Sequence, residues 1–299
     1  MTDVRMNQIK ENVLKVLQYY NYFSYPLTLD ELYYNFPVSE KKEDIALAVN
    51  ALVDEAAAFR FDELFSLVNQ QERIERRKLG NALAVEKIRT AQKVGRFISL
   101  FPFVSTVFIS GSLSKNYADE NTDMDFFICT EPQRLWIARS LLHAFKKLTF
   151  LVGKQHNFCM NYFVDMDHLK LEEQNIYTAI ELSTLKPVKH NDDVYREILR
   201  QNEWIRTYLP NVAAFNDLHG VSEQIVKRKR KTGGVWFDAL NRWLMQATSW
   251  YWKRKWTRRK FPEDQYDLAF KSRIYVSKNH PQNYQKRVLE YCKMIGLSE

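Results

Sequence analysis

Asp123 and Asp125 lie one residue apart at the start of an apolar run, Phe126-Phe127-Ile128. Side chains two positions apart on a strand share a face, so the two carboxylates would stand side by side. Like charges at that distance are unfavourable unless a cation offsets them. A hard divalent ion, Mg²⁺ or Mn²⁺, does so and completes its shell with phosphate oxygens and water. Asp123 and Asp125 are therefore the candidate metal ligands and catalytic residues. Eleven residues before Asp123, the pair Gly111-Ser112 ends another β-branched, apolar run, 104–110. A glycine there has no Cβ to keep a phosphate from the backbone. The Ser112 hydroxyl and the N–H groups of a following helical turn can donate to phosphate oxygens. Ser114 and Lys115 add a second hydroxyl and a cation within one turn. Gly111, Ser112, Ser114 and Lys115 are the candidate phosphate contacts, and the expected ligand is a nucleoside triphosphate with its metal.

The stretch "GSLSKNYADENTDMDFF", a Gly-Ser pair, ten residues and then Asp-Met-Asp between apolar strands, resembles the signature of the DNA polymerase beta-like nucleotidyltransferase superfamily, in particular its minimal bacterial domains. The motif covers about 25 residues, and the strand–helix–strand layout around it covers 104–165. The resemblance implies a small mixed sheet with helices. It also implies transfer of a nucleoside monophosphate, AMP most plausibly, from a triphosphate with Mg²⁺ to an acceptor that is a small molecule, a protein or RNA. On this resemblance Gly111 and Ser112 match the phosphate cradle, Asp123 and Asp125 match the metal ligands, and Lys115 sits where many members carry a basic residue. Active members usually add a third carboxylate on a later strand. In the expected strand "NFCMNYFVDMD", alternation puts Cys159, Asn161, Phe163 and Asp165 on one face. The third position is then Asn161, an amide that cannot act as a base, or Asp165. Asp165 and Asp167 equally suit a turn into "HLKLEE". A calcium loop is the competing reading of "ADENTDMD", but it lacks the loop glycine and the terminal glutamate.

Around this segment, 4–20 has helical spacing (Ile9, Val13, Leu14, Val16, Leu17). Thr28 and Glu31 form a capping-box pattern. Ser39 is positioned to cap a helix with Ile45, Val49, Leu52 and Val53 on one face, and a hairpin is expected about Asp62-Glu63. Three helices and a hairpin within 72 residues read as a winged-helix-like domain. Its would-be recognition helix carries Glu40, Lys41, Lys42, Glu43 and Asp44, a poor match to DNA phosphates. A long basic helix follows over 73–100, with Gly80 as its expected point of interruption. The α/β (α+β) nucleotidyltransferase-type domain spans 101–190, and 191–299 read as a helical, basic C-terminal domain.

The chain has 299 residues, a net charge of +8 and 14% aromatic residues. The charge is uneven: 225–299 hold 18 of the 44 Lys+Arg and 6 of the 36 Asp+Glu. That quarter includes "VKRKRKTGG" and a helix with Trp236, Trp243, Trp250, Trp252 and Trp256 beside Lys253, Arg254, Lys255, Arg258, Arg259 and Lys260. Such a helix packs on its neighbour with a solvated basic end, binds nucleic acid by phosphate contact and stacking, or lies on an anionic membrane. Cys129, Cys159 and Cys292 have neither disulfide nor zinc spacing, the six histidines show no metal spacing, and no run is long enough to span a bilayer or serve as a leader. A cytoplasmic location is expected. The competing function on the same fold is a catalytically inactive nucleotide-sensing or nucleic-acid-binding regulator.

Overall fold

The computed structural model describes residues 3–149, 159–188, 192–212 and 234–297. The basic run at 227–231 and the expected end of the second-domain helix at 150–153 fall outside them.

Helix α1 (Asp3–Asn21) buries Ile9, Val13, Val16 and Leu17, the stripe its spacing implies. Strand β1 (Leu27–Thr28) leads into α2 (Leu29–Tyr34), closed by the reciprocal Thr28–Glu31 capping box. Helix α3 (Lys42–Asp54) starts three residues after Ser39; its N-cap is Lys41, which makes no side-chain cap bond. Strands β2 (Phe59–Phe61) and β3 (Leu64–Ser66) form the hairpin, with Asp62 in the left-handed region, and β3 also pairs with β1.

Helix α4 (Gln71–Ile98) runs through Gly80 without interruption. The glycine is there for packing: a Cβ would lie 2.2 Å from the Tyr117 ring. Around that contact α4 clasps the loop between the Gly-Ser turn and the aspartates. Ala118 N donates to Gly80 O at 3.1 Å. Lys87 Nζ donates to the carbonyls of Asp119, Glu120 and Thr122 at 2.7–3.2 Å. From the N-terminal unit, Tyr25 Oη donates to Lys115 O at 3.0 Å. The spacer, polar and without a core of its own, is held from outside.

The second sheet is built from β4 (Val104–Ile109), β5 (Asp125–Thr130), β6 (Cys159–Asp165), β7 (Lys186–Pro187), β8 (Phe270–Arg273) and β9 (Val276–Asn279), in the order β7-β4-β5-β6-β9-β8. Only β5 and β6 are parallel; the other pairs are antiparallel. Between them lie the four-residue α5 (Gly111–Ser114), α6 (Leu135–Thr149), α7 (Ile176–Ser183), α8 (Asp192–Gln201), α9 (Ile205–Tyr208), α10 (Val235–Arg258) and α11 (Tyr266–Ala269), and α12 (Tyr284–Met294) follows β9. One sheet face, with Val107, Ile109, Phe126, Ile128 and Phe163, packs on α4 and α6. The other, with Phe108, Phe127, Cys129 and Val164, packs on α7, α8, α12 and the N-terminal helices. The architecture is mixed α/β.

The C-terminal region differs from the helical domain expected. Residues 270–279 alternate as "FKSRIYVSKN" and add two strands to the central sheet. Val288 and Cys292 of α12 join the core shared with α1. Pairing with β6 satisfies an edge that β6 would otherwise leave open, a partnership between segments more than 100 residues apart.

Candidate functional site

Antiparallel β4 and β5 bring the Gly-Ser turn beside the aspartates, and Ser110 N donates to Asp125 O at 3.0 Å. Gly111 has φ +67°, and a Cβ there would lie 2.7 Å from Asp125 Oδ2. The glycine is required twice over, by its left-handed backbone and by the approach of that carboxylate. The room expected for phosphate over Gly111 is thus shared with the Asp125 side chain.

Gly111, Asp123, Asp125 and Asn161 all line one cavity of about 440 Å³. Of the other phosphate candidates, Ser112, Ser114 and Lys115 are not in its lining. Ser114 is buried, donating to Gly111 O at 2.8 Å and sharing a hydrogen bond with Thr184 Oγ1. Lys115 Nζ bridges Gly111 O at 3.1 Å and Glu181 Oε1 at 2.7 Å, tying the turn to α7. Both are keystones of the turn, and Ser112 occupies its second helical position, after Gly111.

Asn161 enters the cavity through a fault in the register. Asp125 pairs with Cys159 and Phe126 with Met160, but Phe127 pairs with Tyr162. Asn161 is the extra residue of a β-bulge, a device that re-aims side chains. Asn161 and Tyr162 consequently both reach the cavity, whereas Phe163 turns to the opposite core. The expected alternation Cys159, Asn161, Phe163, Asp165 breaks there. Asn161 Nδ2 donates to Asp125 Oδ1 at 3.0 Å.

Asp165 is not brought to this site. It lies at the other end of β6, opposite Thr130, roughly 20 Å along the strand from Cys159. Its oxygens accept from Gln133 N at 2.6 Å and Asp167 N at 2.8 Å. It closes two turns, as its competing reading proposed, and is corrected from catalytic candidate to turn residue.

The cavity's remaining carboxylates come from elsewhere: Glu181 on α7 and Glu173 before it. Glu173 Oε1 is 3.0 Å from Lys271 Nζ and 3.9 Å from Lys278 Nζ. Lys278, on β9 opposite Tyr162, lines the cavity, and burial lowers its pKa to about 8. Burial raises Asp125 to about 6; Glu181 and Asp123 push the same way, while the Cys159 thiol, donating to the carboxylate, opposes them. Burial, then Asp125, push that thiol to about 12. Glu173, Glu181 and Lys278 were missed because nothing near them in sequence marks them; the strand-like alternation of 270–279 was the one available signal.

Among the described residues no group of three or more His, Cys, Asp or Glu is arranged to hold a metal. Magnesium needs fewer: one or two carboxylates, with phosphate and water as its other ligands. Burial, and then Glu181 and Asp123, hold Asp125 above the ordinary carboxylate range, and such a carboxylate is the kind of donor that a hard cation relieves; Asp123 lies just before β5 and is exposed. Set against protein-family models, curated proteins and solved structures, the chain matches none of them. Among the described residues no helix is long and apolar enough to cross a membrane.

Proposed function

We propose that the chain is a Mg²⁺-dependent nucleotidyltransferase, moving NMP, with AMP the group to test first, from a nucleoside triphosphate to an acceptor. The observation that carries this reading is the meeting of Gly111, Asp123, Asp125 and Asn161 on one cavity large enough for a nucleotide. Asp123 and Asp125 would hold the metal, whose chemistry is to neutralise and orient the triphosphate. Asn161 fixes one Asp125 oxygen. The acceptor hydroxyl attacks the α-phosphorus, the bond to pyrophosphate breaks, and the hydroxyl proton passes to a cavity carboxylate. Besides Asp123 and Asp125, the carboxylates that line the cavity are Glu181, which Lys115 holds at 2.7 Å, and Glu173. The in-line arrangement is a matter of positioning.

The test is incubation with α-labelled triphosphates, Mg²⁺ and cell extract. Label should move to an acceptor with release of pyrophosphate, and Asp125→Asn should stop it while the fold is kept. Absence of transfer to any fraction by folded protein would overturn the reading.

A second reading is a nucleotide-binding regulator. It is favoured by Asn161, an amide on the strand where active members of the resembled superfamily carry a carboxylate. Calorimetry with Mg²⁺-nucleotide separates the two: binding without pyrophosphate release, in the presence of extract, supports the regulator.

A further inference from the structure

Helix α10 carries three tryptophans that the core does not use. Trp236, Trp243 and Trp250 are 73%, 61% and 65% exposed. They recur every seven residues, so they drift by only about 20° per heptad around the helix and stand about 10.5 Å apart along it. The opposite side is the packed one. Trp252 and Asn241 are buried there, with Asn241 Oδ1 accepting from Trp136 N at 2.8 Å. The tryptophan line thus points away from the body of the protein.

Charge on the helix follows the same division. Its one acidic residue, Asp238, is paired with Arg134 on the packed side. The outward half holds Lys253, Arg254 and Arg258 beside the tryptophans and no carboxylate. A helix with an apolar line of Trp and a cationic flank, lying parallel to the surface of its own domain, has the make-up of an interfacial helix. Indole rings favour the level of the lipid headgroups, and cations favour an anionic leaflet.

We propose that this face of α10 docks the protein on an anionic lipid bilayer, with Trp236, Trp243 and Trp250 at one depth and Lys253, Arg254 and Arg258 against the headgroups. The collinear rings favour a flat partner over a nucleic acid strand: neighbouring rings are about three nucleotide steps apart, and no aromatic residue lies between them in the line. The proposal is independent of the chemistry in the cavity.

The experiment is co-sedimentation of the full chain with phosphatidylcholine vesicles with and without phosphatidylserine. Binding is expected to vesicles containing phosphatidylserine and to weaken with salt. The triple variant Trp236→Ser/Trp243→Ser/Trp250→Ser should lower that affinity at least about tenfold. Arg254→Glu/Arg258→Glu should lower it independently. Because these positions are exposed, thermal melting should be unchanged in both variants. Lipids brominated on the acyl chain should quench fluorescence of the parent chain but not of the triple variant, which keeps the other four tryptophans. No vesicle binding, or equal binding by the triple variant, overturns the proposal. So does light scattering that shows a dimer dispersed by the triple variant, or binding of single-stranded RNA that the triple variant loses while vesicle binding persists.

Discussion

Asp125 and Asp165 sit at opposite ends of the same parallel strand pair, and burial raises the pKa of both. They differ in what satisfies them. Asp165 is answered by two backbone amides, at 2.6 and 2.8 Å, that hold turns. Asp125 is answered by the side chains of Asn161 and Cys159, and faces a cavity with Asp123 and Glu181 nearby. A carboxylate bonded by backbone amides is part of the scaffold. One held by side chains, pressed by other acids and open to a cavity is left available to a ligand, which is what the proposed metal requires. Burial alone does not separate the two; the identity of the donors does.

The sharpest way to break this comparison is Asp125→Asn. Nucleotide transfer should fall by at least about 10³-fold, measured as label transfer by folded protein. Stability at neutral pH should rise, since the substitution removes a charge that folding disfavours. Unchanged activity would make Asp125 as structural as Asp165. Next, Asp165→Ala should cost about 2–4 kcal/mol, because two buried amides lose their acceptor. Activity per folded molecule should persist; chemical denaturation and the same transfer assay check both halves.

A smaller effect is expected from pH. Asp125 has a folded pKa of about 6, above its unfolded value. The folded form therefore holds a proton that the unfolded chain has already lost between about pH 4 and 6. The stabilising contribution is fully present below pH 4 and is lost as pH rises through 6. On the order of 1–3 kcal/mol should disappear over that window. Comparing denaturation curves of the parent and Asp125→Asn isolates this contribution. Mg²⁺-nucleotide affinity should run the other way, falling as pH drops through about 6, because the metal needs the ionised carboxylate. The smallest expected change is Asn161→Leu, which removes one hydrogen bond to Asp125 and should weaken Mg²⁺-nucleotide binding about tenfold, read by calorimetry. A loss confined to melting temperature would place Asn161 with the scaffold.

Much of this was legible in the chain. The Thr28–Glu31 capping box, the hairpin at Asp62, the strands on either side of "GSLSKNYADENTDMD" and the placing of Gly111 beside Asp125 follow from local rules: helical and strand periodicity, and the conformational freedom of glycine. Those rules act over a few residues, so the residues themselves carry the answer. The Asn161 bulge, the retirement of Asp165 to a turn, the continuity of α4 through Gly80, the joining of 270–279 to the sheet and the arrival of Glu173, Glu181 and Lys278 in the cavity were decided only by tertiary structure. Each depends on a partner distant in sequence: a strand whose register must match, an aromatic ring that needs the space, a lysine 66 residues from its glutamate. A segment's own periodicity states which side is apolar; it does not state which partner it will meet.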